Sequence, residues 1–215
     1  QSPDFPWPFL LVGDEFFDLA SSILPEFPYG VQVNGMNDHG TLVAHGTAYG
    51  AGATKPDAVV IDWNGHVRVP RPEPWIELYG WSIANDGTVA GYGWQPWPGR
   101  PEGLVLKRAF RWSSGNPVEL PPLIQHNQTR AFGVNELGQV VGQSEMRFPW
   151  GGVGQTTPVI WIDGEPHRLN ELAVNVPQPS WMGAPVQITP YGTIVLSGSV
   201  ASHGVAFVLD PIRER

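Results

Sequence analysis

Ten tryptophans in a chain with only two lysines, Lys55 and Lys107, are the first residues to suggest chemistry. Six of them, Trp7, Trp75, Trp94, Trp97, Trp150 and Trp181, stand in segments broken by proline and glycine, as in Trp94-Gln-Pro-Trp97-Pro, Phe148-Pro-Trp150 and Pro179-Ser-Trp181. An aromatic side chain on a stiff segment loses little entropy on binding and offers flat apolar area with a polar edge. That is the chemistry of a surface that stacks on sugar rings or docks a protein. Trp94, Trp97, Trp150 and Trp181 are the expected platforms, with Arg100, Arg147 and His203 as polar anchors. Binding of this kind needs no cofactor, and none is expected.

Acid–base chemistry is the alternative. Glu73, Glu77, Glu102 and Glu145 share the same segments with Arg71, Arg100, Arg130 and Arg147. Two carboxylates across a cleft suit glycoside hydrolysis, and a Tyr or His beside an Arg suits proton abstraction from a uronate. A small polysaccharide lyase or hydrolase is therefore the second reading, and a protein-interaction or inhibitor module the third. The spacing singles out no catalytic pair. The serines lack a G-x-S-x-G setting, and no glycine-rich turn opens a helix to cradle a phosphate. The six histidines show no H-x-H or H-E-x-x-H spacing, so no metal site is expected. His39, His66 and His167 fall at or beside short turns. His45 is expected to be freely variable, because the other copies of its motif place Tyr92, Gln143 and Ser197 there. His126 and His203 fall in or near the long segments and are the better candidates.

Composition narrows the partners. The net charge is −8, from 12 basic and 20 acidic residues, with no basic stripe. That balance argues against nucleic acid and anionic membrane surfaces as partners. No apolar run approaches the ~18 residues of a membrane span. Cysteine is absent, which removes disulfides, thiolate zinc sites and cysteine nucleophiles. The polar start QSPDFP, with Gln rather than Met first, reads as the mature end left by signal-peptide removal, so a secreted or periplasmic location is expected.

The elements that must position these residues come from a repeat. VNGMNDHGTLVAHG, GWSIANDGTVAGYG, AFGVNELGQVVGQS and PVQITPYGTIVLSG are four copies of strand, polar turn, glycine, strand. Their turn glycines, Gly40, Gly87, Gly138 and Gly192, lie 47, 51 and 54 residues apart. A second hairpin fills each gap (VVIDWNGHVRV, AFRWSSGNPVEL, PVIWIDGEPHRL), with PFLLVGDEFFDL at the start and GVAFVLD at the end. Asn64-Gly65, Asp86-Gly87 and Asp163-Gly164 are dipeptides suited to tight hairpin turns. In the third copy the strands are expected at 131–136, 139–145, 158–162 and 166–171. No helix is expected, because ELYGWSIA and LNELAV are short and poorly capped.

A repeat of this period implies a β-propeller or another array of supersecondary units, and the propeller is expected here. The chain is expected to be all-β and a single domain, 1–215. Its repeats span about 31–72, 80–121, 131–172 and 185–210, the last closed with 8–20. Counting gives 17 strands by this reading of the sequence. Four blades of four-stranded antiparallel sheet come closest, and five rank second. Joining N- and C-terminal strands in one blade would close the ring and hide its edges. In such a meander the 1–2 and 3–4 turns share one end, and they are short here. The 2–3 loops and inter-blade connections share the other end, and they are long and aromatic. Loops on a rigid scaffold commonly carry function. Trp112 and Trp161 hold equivalent positions before a turn glycine and are expected in the core, as are Trp63 and Trp81.

The pattern small-Ile/Val-Asn-x-x-Gly-x-Val-Val-Gly followed by Ala-Phe-x-Trp, best seen in Ala131–Gly142 and Arg108–Trp112, resembles the HAF-type extracellular repeat of bacteria. The resemblance covers most of the chain. The fourth copy departs from it, with Thr189-Pro190 in place of Asn135-Glu136 and Leu196 in place of Gly142. It implies a propeller-like fold and export, and it transfers no catalytic residue.

Overall fold

The computed structural model describes residues 9–12, 14–18, 27, 31–47, 55–62, 65–175, 180–201 and 203–211. The chain is all-β among these residues, apart from one helical turn. A hairpin of β1 (Phe9–Val12) and β2 (Glu15–Asp18) comes first. The first large sheet follows in the order β3 (Val31–Met36), β4 (Leu42–Thr47), β5 (Pro56–Asp62), β6 (Gly65–Arg68). The second is β7 (Glu77–Ile83), β8 (Val89–Pro96), β9 (Val105–Trp112), β10 (Val118–Leu120). The third is β11 (Gln128–Val134), β12 (Val140–Arg147), β13 (Val153–Ile162), β14 (Glu165–Arg168). The fourth has three strands, β15 (Ser180–Ile188), β16 (Ile194–Val200) and β17 (His203–Leu209). All pairing is antiparallel, and every large sheet is a simple meander.

The recurring glycine has a backbone reason. Gly40, Gly87, Gly138 and Gly192 have φ of 77°, 85°, 73° and 88°, a left-handed geometry that side chains disfavour. Three residues earlier, Asn37 and Asn135 close their turns from the side chain. The Oδ1 of Asn37 accepts from the amides of His39 and Thr41, and that of Asn135 from Gln139, each at 3.0 Å. Thr189 repeats the device with its hydroxyl, which accepts from the Thr193 amide at 3.0 Å.

Each of the four large sheets shifts register in its first hairpin, between Val33/Gly35, Gly80/Ser82, Ala131/Gly133 and Pro185/Gln187. Such a bulge bends the strand and re-aims its side chains. In the third sheet it brings backbone so close that a Cβ on Gly142 would sit 1.9 Å from the Arg130 carbonyl oxygen.

Successive sheets pack face to face through their first strands. β7 lies against β3, β4 and β5; β11 against β7, β8 and β9; β15 against β11, β12 and β13. Three apolar cores fill the interfaces. Val43, Ala58, Leu78 and Phe110 join the first and second sheets. Ala90, Ala109, Ala131 and Trp161 join the second and third. Val141, Ile160, Met182 and Leu196 join the third and fourth. A fourth cluster, of Phe27, Leu42, Ala44, Val59 and Ile61, covers the other face of the first sheet. Trp161 is fully buried, and its indole N–H donates to the Pro121 carbonyl at 2.8 Å. Trp112 is only partly buried against its core, and Trp63 lies outside the described residues.

Three expectations change. β13 begins at Val153 rather than 158, because Arg147 pairs with Val153 across a glycine-rich bend. β14 ends at Arg168, and the chain turns into a single helical turn, α1 (Leu169–Leu172), with no side-chain cap. Leu169 is 2% exposed in the core between the third and fourth sheets, so packing holds this turn where propensity would not. The expected completion of the fourth sheet by the N-terminal strands is not formed among the described residues. β1 and β2 pair with each other in a sheet of their own, each satisfying one edge of its partner.

Candidate functional site

Antiparallel order places the start of β7, the β8–β9 connection and residues 121–127 at one end of the sheets. At that end the second sheet carries a tiled patch. Glu77 pairs across with Trp94 and Trp94 with Lys107; one row away Tyr79 pairs with Tyr92. Directly opposed residues share a sheet face, so these five side chains lie together. Their neighbours on the strands, Leu78 and Leu106, face a core instead.

The contacts within the patch are specific. The Tyr79 hydroxyl donates to Glu77 Oε2 at 2.6 Å, and the Tyr79 and Tyr92 rings stack at 5.2 Å. The Lys107 ammonium lies 4.9 Å from the centre of the Trp94 ring and 5.9 Å from that of Tyr92. From the first sheet, the His45 ring meets Tyr79 edge-on at 4.9 Å. Asn34 holds that edge: its Nδ2 donates to the Gly80 carbonyl at 2.7 Å and lies 2.8 Å from His45 Nδ1.

Burial sets the protonation states. It lowers the His45 pKa below its usual 6.5, which keeps the ring neutral near neutral pH. Burial, then the bond to Glu77 and its negative charge, push the Tyr79 phenol far up, so it serves as a donor and not as a base. Tyr92 is raised by burial, against the pull of Arg130. Lys107 is lowered, first by burial and then by Arg130 and Arg147, with Glu145 opposing.

The third sheet repeats the same two rows in polar form. Gln128 pairs with Glu145 and Arg130 with Gln143, each 51 residues beyond Glu77, Trp94, Tyr79 and Tyr92 in turn. Arg130 Nη2 donates to Glu145 Oε1 at 2.7 Å. Stacking the copies at their turn glycines exposes this correspondence in the sequence alone. Their signal is this alignment of strands, whereas the aromatic residues of the loops stand out singly.

The expected site residues are scattered around this patch. Trp94 belongs to it. Trp97 stands at the start of the β8–β9 connection, with the Arg100 guanidinium 5.4 Å from its ring centre. Trp150 is 79% exposed and stacks on Phe148 at 4.8 Å with the planes 3° apart. Arg147 exchanges backbone hydrogen bonds with the Asn127 side chain, and its own side chain makes no ion pair among the described residues. His203 is exposed at the start of β17, with Nδ1 3.0 Å from the Ala201 carbonyl. Trp181 lies in β15, and its side chain is outside the described residues, as is Trp7 entirely.

Several candidates prove structural. Trp75 is 8% exposed and packs edge-on against Phe110 in the core, since its loop folds back over the sheet. His126 is buried, with Nδ1 3.0 Å from Ser144 Oγ. Arg71 binds Asp57 at 2.7 Å and the Ile76 carbonyl, which anchors the loop between them. His45, expected to vary freely, is held from two sides. No group of three or more metal-ligating side chains occurs among the described residues.

The opposite end holds a polar cavity of about 420 Å³. Its walls are equivalent segments of all four repeats, around Asn34–Asp38, Trp81–Asn85, Phe132–Glu136 and Val186–Pro190. No protein-family model matches the chain, and no curated protein is detectably similar to it.

Proposed function

We propose that this chain is an exported four-bladed β-propeller that binds carbohydrate through the long-loop end of its sheets. Two observations support the propeller. Each first strand packs on the sheet before it, and equivalent segments of all four repeats surround one cavity, as an axial channel requires. The resemblance to HAF-type repeats supports export.

The observation that carries the binding reading is the patch around Trp94. A partly exposed indole, two stacked tyrosines, a carboxylate and an ammonium share one sheet face in fixed register. Apolar faces beside a few placed polar groups are the usual make-up of a small-ligand site. Strand residues are also held more firmly than loop residues, so the site is preorganised. Trp97 and Trp150 extend the surface along the loops.

A glycan-array screen with wild type, Trp94→Ala and the Trp97→Ala/Trp150→Ala double variant tests this. Binding that Trp94→Ala weakens by about 1–3 kcal/mol, the range for a buried aromatic hot spot, supports the reading. Binding of no glycan, or binding indifferent to all three tryptophans, overturns it.

A further inference from the structure

Unmet hydrogen-bond donors gather beside the Trp94 patch. Lys107 is partly buried, yet among the described residues its ammonium has no carboxylate and no acceptor, only two aromatic faces. The Arg147 side chain is likewise without an ion pair there. Gln128 is 2% exposed and its Nε2 has no partner; Arg130 Nε is buried and has none either. A buried donor left unsatisfied is costly, so two on one face call for an explanation.

Gln128 and Arg130 stand on the same face of β11, opposite Glu145 and Gln143, and Arg147 follows on β12. Lys107 is near enough to feel Arg130, Glu145 and Arg147. Three cations thus face two carboxylates, and both carboxylates are taken: Glu145 by Arg130 and Glu77 by Tyr79. In a chain of net charge −8, a surplus of positive charge and free donors here runs against the overall balance.

An anion meets these groups. It must also suit the aromatic rings of Trp94 and Tyr92, which favour a flat, partly apolar body over a bare inorganic ion. We propose that the cluster of Lys107, Arg130, Arg147 and Gln128 is a subsite for the carboxylate of a uronic acid residue in an acidic glycan. The carboxylate faces Lys107 and Arg147, with Gln128 and Arg130 beneath it as the polar floor of the subsite. The sugar ring lies against the aromatic side chains. This rests on the carbohydrate-binding reading above and names the ligand class for it.

Calorimetric titration with trigalacturonate, trimannuronate and triguluronate, each beside its methyl ester, tests the inference, with cellotriose and mannotriose as neutral probes. An acid that binds at least about tenfold more tightly than its ester supports it. Lys107→Met and Arg147→Gln should each shrink that preference to less than about threefold, because each weakens the acid more than the ester. An ester equal to its acid, or neutral probes that bind while every acid fails, overturns the carboxylate subsite and leaves carbohydrate binding standing. Failure of every oligosaccharide overturns both.

Discussion

Asn135 donates from Nδ2 to the carbonyl of Thr189, 3.3 Å away and 54 residues further along the chain. Asn37 makes the same bond to Ala84, at 3.1 Å and 47 residues on. Donor and acceptor hold the same place in consecutive repeats, three residues before the turn glycine. One side chain therefore closes its own turn and clips it to the next sheet. Between the second and third sheets the link changes hands: the Asn85 amide donates to Glu136 Oε1 at 3.3 Å.

Removing such a clip should be costly. Asn135 is 1% exposed, and its amide also donates to Gln139 Oε1 at 2.8 Å. Asn135→Ala leaves the Gln139 amide without its side-chain acceptor and the Thr189 carbonyl with only the Gly192 amide. We expect a loss of about 1–3 kcal/mol, read as a lower urea midpoint at constant slope. Asn85→Ala, in an exposed pair with Asp38, should cost less than about 1 kcal/mol. Equal costs would contradict the clip.

Gly142 offers a steric test. Its hypothetical Cβ meets the backbone oxygen of Arg130 at 1.9 Å and the Trp161 ring at 2.9 Å, and neither neighbour is a flexible chain end. Gly142→Ala should destabilise by about 1–3 kcal/mol as an overpacked site. The first and fourth copies carry Ala44 and Leu196 at this place, so the close approach belongs to the particular geometry of β11 and β12. Unchanged thermal stability in Gly142→Ala would refute the bulge geometry.

Trp161 and Trp150 separate core from surface. Trp161→Ala empties a fully buried site and orphans the Pro121 carbonyl, so a loss of about 3–5 kcal/mol is expected. Trp150 stacks only on Phe148 and is mostly exposed, so Trp150→Ala should shift stability by less than about 0.5 kcal/mol. Urea titrations of the two variants decide the matter.

The strand layout was legible because its signals are local. Turn glycines at positive φ, Asn-type turn closers and short alternating strands each act over a few residues, and the 17 strands among the described residues follow from them. The site was less legible because it depends on which side chains meet. Trp75 reads as a loop aromatic, and only the fold-back onto Phe110 makes it core. His45 reads as variable within its column, and only the neighbouring sheet supplies Tyr79. Lys107 stood out in the count of lysines, but its meeting with Trp94 is a matter of cross-strand register. The turn at Leu169–Leu172 has no local signal, since burial of Leu169 holds it.

Tyrosine titration reports on the patch directly. Burial raises both Tyr79 and Tyr92, and for Tyr79 the Glu77 carboxylate adds to the effect. Absorbance at alkaline pH should show two phenols ionising late. Tyr79→Phe should remove the later one, and Glu77→Gln should bring it to lower pH without abolishing it. If all phenols ionise together below unfolding, the patch is open to water.

The last prediction concerns acid. His45 and His126 both have pKa values lowered by burial from the usual 6.5; for His126 the Ser144 contact and Glu145 oppose the shift, while Arg168 adds to it. About one pH unit or more above the free value of 6.5 both rings are neutral whether the chain is folded or not, so they add no pH dependence there. Below it the unfolded chain takes up protons that the folded chain refuses. The unfolded state then binds more protons, and stability must fall as the pH falls, until the folded rings charge as well. The urea midpoint should therefore drop between pH 7.5 and pH 5.5, a window of about one pH unit either side of the free value. His45→Gln keeps a polar partner for Asn34 and removes one of the two titrations, so its midpoint should drop less over that interval. A drop equal to that of the wild type would mean that His45 charges freely in the folded protein and that its contact with Tyr79 does not exclude water.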